Sequence, residues 1–126
     1  MKDYSKMSDF EINKAVALIL GIEVVEWGGK IFGGVERKID NVTSVIGAID
    51  YCNSPSDAWP IIVENSISIV SYGVEFSAEY GWSAFYGGVC VDYNHEIVSN
   101  FEIECSDKNP LRAAMIVYLM MKDEEK

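Results

Sequence analysis

Lysine and arginine are missing from the middle of this chain: none stands between Lys38 and Lys108. Residues 39 to 107 hold eleven acids, among them Asp50, Asp57, Glu64, Glu102, Glu104 and Asp107, so the segment carries −11. The remainder, with nine acids against ten bases, carries +1, and the middle accounts for the whole formal charge of −10. Such a surface repels a phosphate backbone, whose binding relies on clustered bases, so direct nucleic-acid binding is not expected. A continuous apolar run long enough for a membrane is also missing. The longest, from Ala113 to Met121, has nine residues, against roughly 20 for a spanning helix. The polar start MKDYSKMSDFEINK lacks the apolar core of a signal peptide. Three cysteines, Cys52, Cys90 and Cys105, make an odd set without a CxxC, which suits a reducing compartment. A soluble cytoplasmic chain is the expectation.

What the chain has is apolar content. Hydrophobic residues make up 49% of its 126 residues, enough for one core and too little chain for two. Ten of the fifteen aromatics lie inside the acidic segment, so that segment reads as a folded acidic surface and not as a disordered tail. A single domain over residues 1–126 is expected, with flexible ends at 1–6 and 123–126.

Ser8-Asp9-Phe10-Glu11 has the form of a capping box, with Met7 and Ile12 placed as a hydrophobic staple. The helix it opens should run from Asp9 to about Leu20, with Gly21 ending it in a left-handed conformation. Phe10, Val16 or Ala17, and Leu20 would then face the core. Residues 22–27 and 30–35 read as strands around Gly28-Gly29, a pair suited to a tight hairpin. Residues 42–51 could be strand or helix. Asp57 is the best N-cap for a short helix from Ala58 to Glu64 or Asn65, because it puts Pro60 in the first turn. Val70, Tyr72, Val74 and Phe76 alternate with polar residues, as in a half-buried strand. Residues 82–86 and 89–93 flank Gly87-Gly88, a second hairpin signal. Asn94-His95-Glu96 reads as a turn before a strand over 97–105, with Phe101, Ile103 and Cys105 on one face and Glu102 and Glu104 on the other. Asn109-Pro110 opens the last helix as cap and first helical residue. Its stripe of Leu111, Ala114, Met115, Tyr118 and Leu119 is nearly closed into a ring by Ile116, Val117, Met120 and Met121. A helix apolar all round must be buried on several sides, and a second copy of the chain could supply part of that cover. The expected class is α+β: an antiparallel meander of hairpins packed with an N-terminal helix, a short central helix and an apolar C-terminal helix.

Three stretches, YSKMSDFEINKAVA at 4–17, DYCNSPSDAWPIIVENSISI at 50–69 and NPLRAAMIVYLMM at 109–121, together resemble the NinX-like family of small proteins of lambdoid bacteriophages and prophages. They cover 47 of the 126 residues. The resemblance implies expression from a phage or prophage in a bacterial cytoplasm. It hands over no catalytic, cofactor or ligand residues.

The residues themselves offer few sites. His95 with Asp92 and Glu96 is one histidine beside two carboxylates in a turn, short of the ligand set that zinc needs, and solvated surface is the better reading. Cys52, near Asp50 and Asn53, could be a nucleophile served by His95, but surrounding negative charge raises a thiol pKa and favours a structural cysteine. Gly33-Gly34 and Gly87-Gly88 fit no phosphate-loop pattern. No metal and no cofactor is expected. Trp59, beside Asp57 at a helix start, has two readings: packing of the short helix against the sheet, which is preferred, or an anchor for a partner. Met115, Tyr118 and Leu119 mark either core or a dimer interface.

Three functions follow in order. The first is a non-enzymatic protein-binding module whose partner, a host or phage protein, carries a basic surface that Asp57, Trp59, Glu102 and Glu104 would meet; the protein itself could be a homodimer. The second is an acidic nucleic-acid mimic that occupies the groove of a DNA-binding protein. The third is an enzyme using paired carboxylates, Asp92 with Glu96 or Glu102 with Glu104, the latter about 7 Å apart along a strand.

Overall fold

The computed structural model describes residues 3–34, 45–71, 81–91 and 97–124, with the backbone alone described at 34, 45–47, 87–91 and 97–102. Helix α1 (Asp9–Leu20) starts at Ser8, whose hydroxyl oxygen accepts from the Glu11 amide at 3.1 Å. The Glu11 carboxylate takes its return bond from the Ser8 hydroxyl at 3.2 Å, not from the Ser8 amide. Gly21, at φ 71°, ends the helix, and its amide and that of Ile22 reach back to Ala17 and Leu18 carbonyls. Ile12, Asn13, Val16 and Ala17 are the buried face. Leu20 is more than a third exposed, so the core stripe lies one position to the side of the one its spacing suggested.

Strands β1 (Val24–Trp27) and β2 (Lys30–Gly34) form the expected hairpin, and Gly28 and Gly29 take φ of 60° and 73° in its turn. Strand β3 (Val45–Ile49) settles the ambiguous stretch as strand within the described residues and completes an antiparallel sheet in the order β1-β2-β3. Ile31 and Ile49 pair across β2 and β3 on the face toward α1. A side chain at Gly33 would meet Ile49 Cδ1 at 2.5 Å, so that close approach needs glycine.

Helix α2 (Pro55–Glu64) begins three residues before the expected start. Ser54 is the N-cap, and its carbonyl accepts from the Asp57 and Ala58 amides. Pro55 fills the first helical position, which favours proline because that amide has no helical partner, and this outweighs the cap offered by Asp57. Pro60 therefore lies inside the helix, where its missing amide forgoes one bond to the exposed Ser56.

The second sheet, in the order β4-β5-β6, consists of β4 (Ser68–Ser71), β5 (Trp82–Val91) and β6 (Ile97–Asp107). Gly87-Gly88 is not a turn. It lies inside β5, where the pairing with β6 shifts register between Tyr86 and Gly87, as at a bulge. The stretch 72–76 and the turn at 94–96 lie outside the described residues.

Helix α3 (Pro110–Glu124) is the centre of the fold, touching α1, α2 and all three strands of the second sheet. Asn109 caps it as expected, its Oδ1 accepting from the Leu111 and Arg112 amides at 3.0 and 3.3 Å. Ala113 to Leu119 and Met121 are all buried. One chain alone covers this helix, so its all-round apolarity needs no second copy. The two chain ends also meet: Tyr4, in a 3₁₀ turn (Tyr4–Lys6), is buried, and its hydroxyl donates to the Asp123 carboxylate.

Candidate functional site

The three stretches that carry the family resemblance are far apart in sequence and converge in space on one polar cluster. Its centre is Arg112, in the first turn of α3 with only 13% of its side chain exposed. A cation there opposes the helix dipole, and carboxylates answer it. Arg112 Nη1 donates to Asp9 Oδ1 at 2.7 Å, and Nε to Asp107 Oδ2 at 3.1 Å. Nη2 donates to the Ser5 and Met7 carbonyls at 3.1 and 2.6 Å, which pins the chain before α1 onto α3. Burial works to lower the Arg112 pKa, but the Asp9 hydrogen bond and the Asp107 and Asp9 charges outweigh it, so the guanidinium is held more firmly charged than usual.

A second layer of amides extends from this ion pair. Asn53 Nδ2 donates to Asp9 Oδ2 at 3.1 Å and to both oxygens of Asp50. Asn109 Nδ2 donates to the Cys52 carbonyl at 2.6 Å and to Asn53 Oδ1 at 3.1 Å. Asn13, buried on α1, donates to Asp50 Oδ1 at 2.9 Å and accepts from the Cys52 amide at 3.1 Å. Among the described residues no buried side-chain nitrogen or oxygen lacks a partner. A network satisfied in this way fixes geometry. It joins α1, the turn before α2 and the start of α3.

Cys52 sits under the cluster and is fully buried. Burial first, and then the Asp9 charge, push its thiol up to about 12, which keeps it protonated and removes it as a nucleophile at neutral pH. Cys52 is therefore expected to resist alkylation at pH 8 in the native protein and to react once urea unfolds it, as followed by peptide mass spectrometry. Rapid native labelling would contradict its burial. The same shift has a consequence for stability. The thiolate is disfavoured only in the folded state, so this stabilisation is complete below the ordinary thiol range and is lost as pH rises toward 12.

Two clefts flank the cluster. One of about 310 Å³ lies between α1 and strands β2 and β3, where Phe10, Lys30, Ile49 and Asp50 meet. The other, about 360 Å³, lies between the N-terminal turn and α3, with Tyr4, Cys105, Ile116 and Met120 in its wall. Cys105 is pushed up to about 11, chiefly by burial and then by Asp107. Among the described residues no group of three or more His, Cys, Asp or Glu side chains is placed to hold a metal ion.

The residues singled out from sequence do not form one site. Asp57 is turned inward, its Oδ2 accepting from the Asp50 amide at 3.0 Å, which ties the turn at 50–54 to the first turn of α2. Trp59 does not pack α2 against a sheet: it stands 61% exposed, with Val63 exposed one turn further along the same face. Glu104 is exposed on β6 and accepts from the Ser83 hydroxyl at 3.2 Å. The Glu102 side chain, Asp92, His95 and Glu96 lie outside the described residues. Met115, Tyr118 and Leu119 are in the core. Sequence reasoning missed Asn13, Asn53, Asp107 and Arg112 as a joint. The available signal was Arg112 itself, a lone base at the dipole-unfavourable end of an apolar helix.

Among the described residues no helix is long and apolar enough to cross a membrane. The sequence model of the family described as Bacteriophage P22, NinX matches residues 3–122, and the chain belongs to that family. Comparison with curated proteins finds no match, and comparison with solved structures finds none.

Proposed function

We propose that this phage accessory protein of the NinX family is a non-enzymatic protein-binding module, and that the outward face of α2 is its contact surface. The observation that carries the reading is Trp59 at 61% exposure. Tryptophan is large, rarely left in water without use, and enriched among the residues that dominate binding energy. Val63 extends the apolar face by one helical turn, and exposed Glu64 borders it. No base stands within the 39–107 segment that contains α2, so the partner surface complementary to it is an apolar pocket rimmed by Lys or Arg. Asp57 supports this face from within by holding its first turn.

Nucleic-acid mimicry fares less well. It requires carboxylates arrayed outward, yet of the five segment acids with described side chains, Asp50, Asp57, Glu104 and Asp107 accept hydrogen bonds from the fold itself.

The test compares tagged full-length chain with Trp59→Ala and Trp59→Phe in cells producing the phage. Trp59→Ala should change stability by less than about 0.5 kcal/mol, as an exposed substitution does. It should abolish retention of a protein held by the parent chain, and Trp59→Phe should restore part of it. Equal retention by Trp59→Ala, or no protein retained by the parent under gentle salt, would overturn the proposal.

A further inference from the structure

Among the described residues the first sheet has an exposed apolar face and, at β1, an edge with no strand beside it. Val24, Glu26, Ile31 and Ile49 alternate onto the side packed toward α1, so Val25, Trp27, Lys30, Phe32 and Ala48 fall on the other. Val25 is directly opposite Phe32, and Phe32 opposite Ala48, which makes an apolar row across all three strands. Trp27 stands beside that row at 77% exposure, and Val25 is 58% exposed. Among the described strands β1 and β3 are the two edges of this sheet, and β1 is the one that carries the exposed Val25 and Trp27. Edge strands in soluble proteins are commonly guarded by outward charge, proline or a bulge. β1 has no proline and no register shift against β2, and its single charge, Glu26, lies on the inner side, 2.5 Å from Lys14 of α1.

We infer that β1 pairs antiparallel with β1 of a second copy of this chain, about a twofold axis at Glu26, to form a continuous six-stranded sheet. Three features select a second copy. First, the ladder alternates from the Trp27–Lys30 pair that closes the turn, which directs the amide and carbonyl of Glu26 outward, as a hydrogen-bonded pair on the axis requires. Second, this register sets Val25 of each copy opposite Trp27 of the other, on the same open face. Aromatic against β-branched is among the favourable cross-strand pairs. Third, the charges match. The two Glu26 carboxylates would repel on the axis, and each has its own Lys14 beside it, giving an alternating row in which each ammonium also attracts the other copy's carboxylate. The first 38 residues, which hold α1, β1 and β2, carry six acids and six bases. Two chains of charge −10 can therefore meet here without bringing their acidic segments together.

The test is sedimentation of the full chain over a range of concentrations at physiological salt. The parent is expected to approach twice its 14.1 kDa mass. Val25→Lys and Trp27→Lys, both at exposed positions, should each weaken the dimer by about tenfold or more with the melting temperature of the monomer unchanged. Lys14→Glu should weaken it by gathering four carboxylates at the axis, and Glu26→Gln should keep or strengthen it. A parent chain monomeric at every concentration overturns the inference, and so does a dimer indifferent to Val25→Lys and Trp27→Lys.

Discussion

Met115→Asp is expected to yield no soluble folded protein. Met115 is at 0% exposure in the middle of α3, within the unbroken buried run from Ala113 to Leu119. The helix meets α1, α2 and the second sheet, so a carboxylate there has no route to water. Burying it unpaired costs several kcal/mol, comparable to the roughly 5–15 kcal/mol that holds a typical domain together. Met115→Leu, which keeps volume and apolarity, should cost less than about 1.5 kcal/mol. Glu124→Gln, at the exposed end of the same helix, should cost less than about 0.5 kcal/mol. Expression and circular dichroism distinguish these outcomes. A soluble Met115→Asp with the parent's melting temperature would show that α3 is not the core.

Arg112→Ala should have the second largest effect, a loss of about 3 kcal/mol, at the lower end for breaking a buried ion pair because Asp9 is nearly half exposed. The substitution strands Asp107 and releases the carbonyls of Ser5 and Met7. The segment before α1 should loosen with it, which hydrogen exchange of residues 3–8 would register as lost protection. Arg112→Lys should recover little, since one ammonium cannot replace a planar fork that bonds four acceptors.

Local signals in the sequence were sufficient wherever one residue type has one structural use. Ser8 and Gly21 bounded α1, Asn109-Pro110 opened α3, and Gly28-Gly29 turned the first hairpin. They failed where a signal has two uses. Gly87-Gly88 suits a hairpin or a bulge, and the long partner strand β6 decides for the bulge. Ser54-Pro55 and Asp57 each mark a helix start, and the proline prevails. Leu20 follows helical spacing, yet it stays more than a third exposed at the end of α1. The polar joint was least legible. Asn13 looks like a surface residue in any periodicity argument, and its burial is favourable only because Asp50 and the Cys52 amide, from the 50–53 turn, arrive to meet it. The exposure of Trp59 depends likewise on where α2 lies, a property of packing and not of spacing.

The polar cluster ties α1, the turn before α2 and the start of α3 together as a structural joint, away from the exposed face of α2. A double-mutant cycle on Arg112→Ala and Asp9→Ala, followed by urea denaturation, tests this most directly. If the cluster is a joint, both single substitutions lower the denaturation midpoint, and the cycle returns a favourable coupling of about 1–3 kcal/mol. Residues held for chemistry commonly behave the other way, since disarming a functional site tends to leave stability unchanged or raise it. Midpoints that stay level or rise, with no coupling between Arg112 and Asp9, would contradict the account and turn attention to the cluster and its adjoining cleft as the working site.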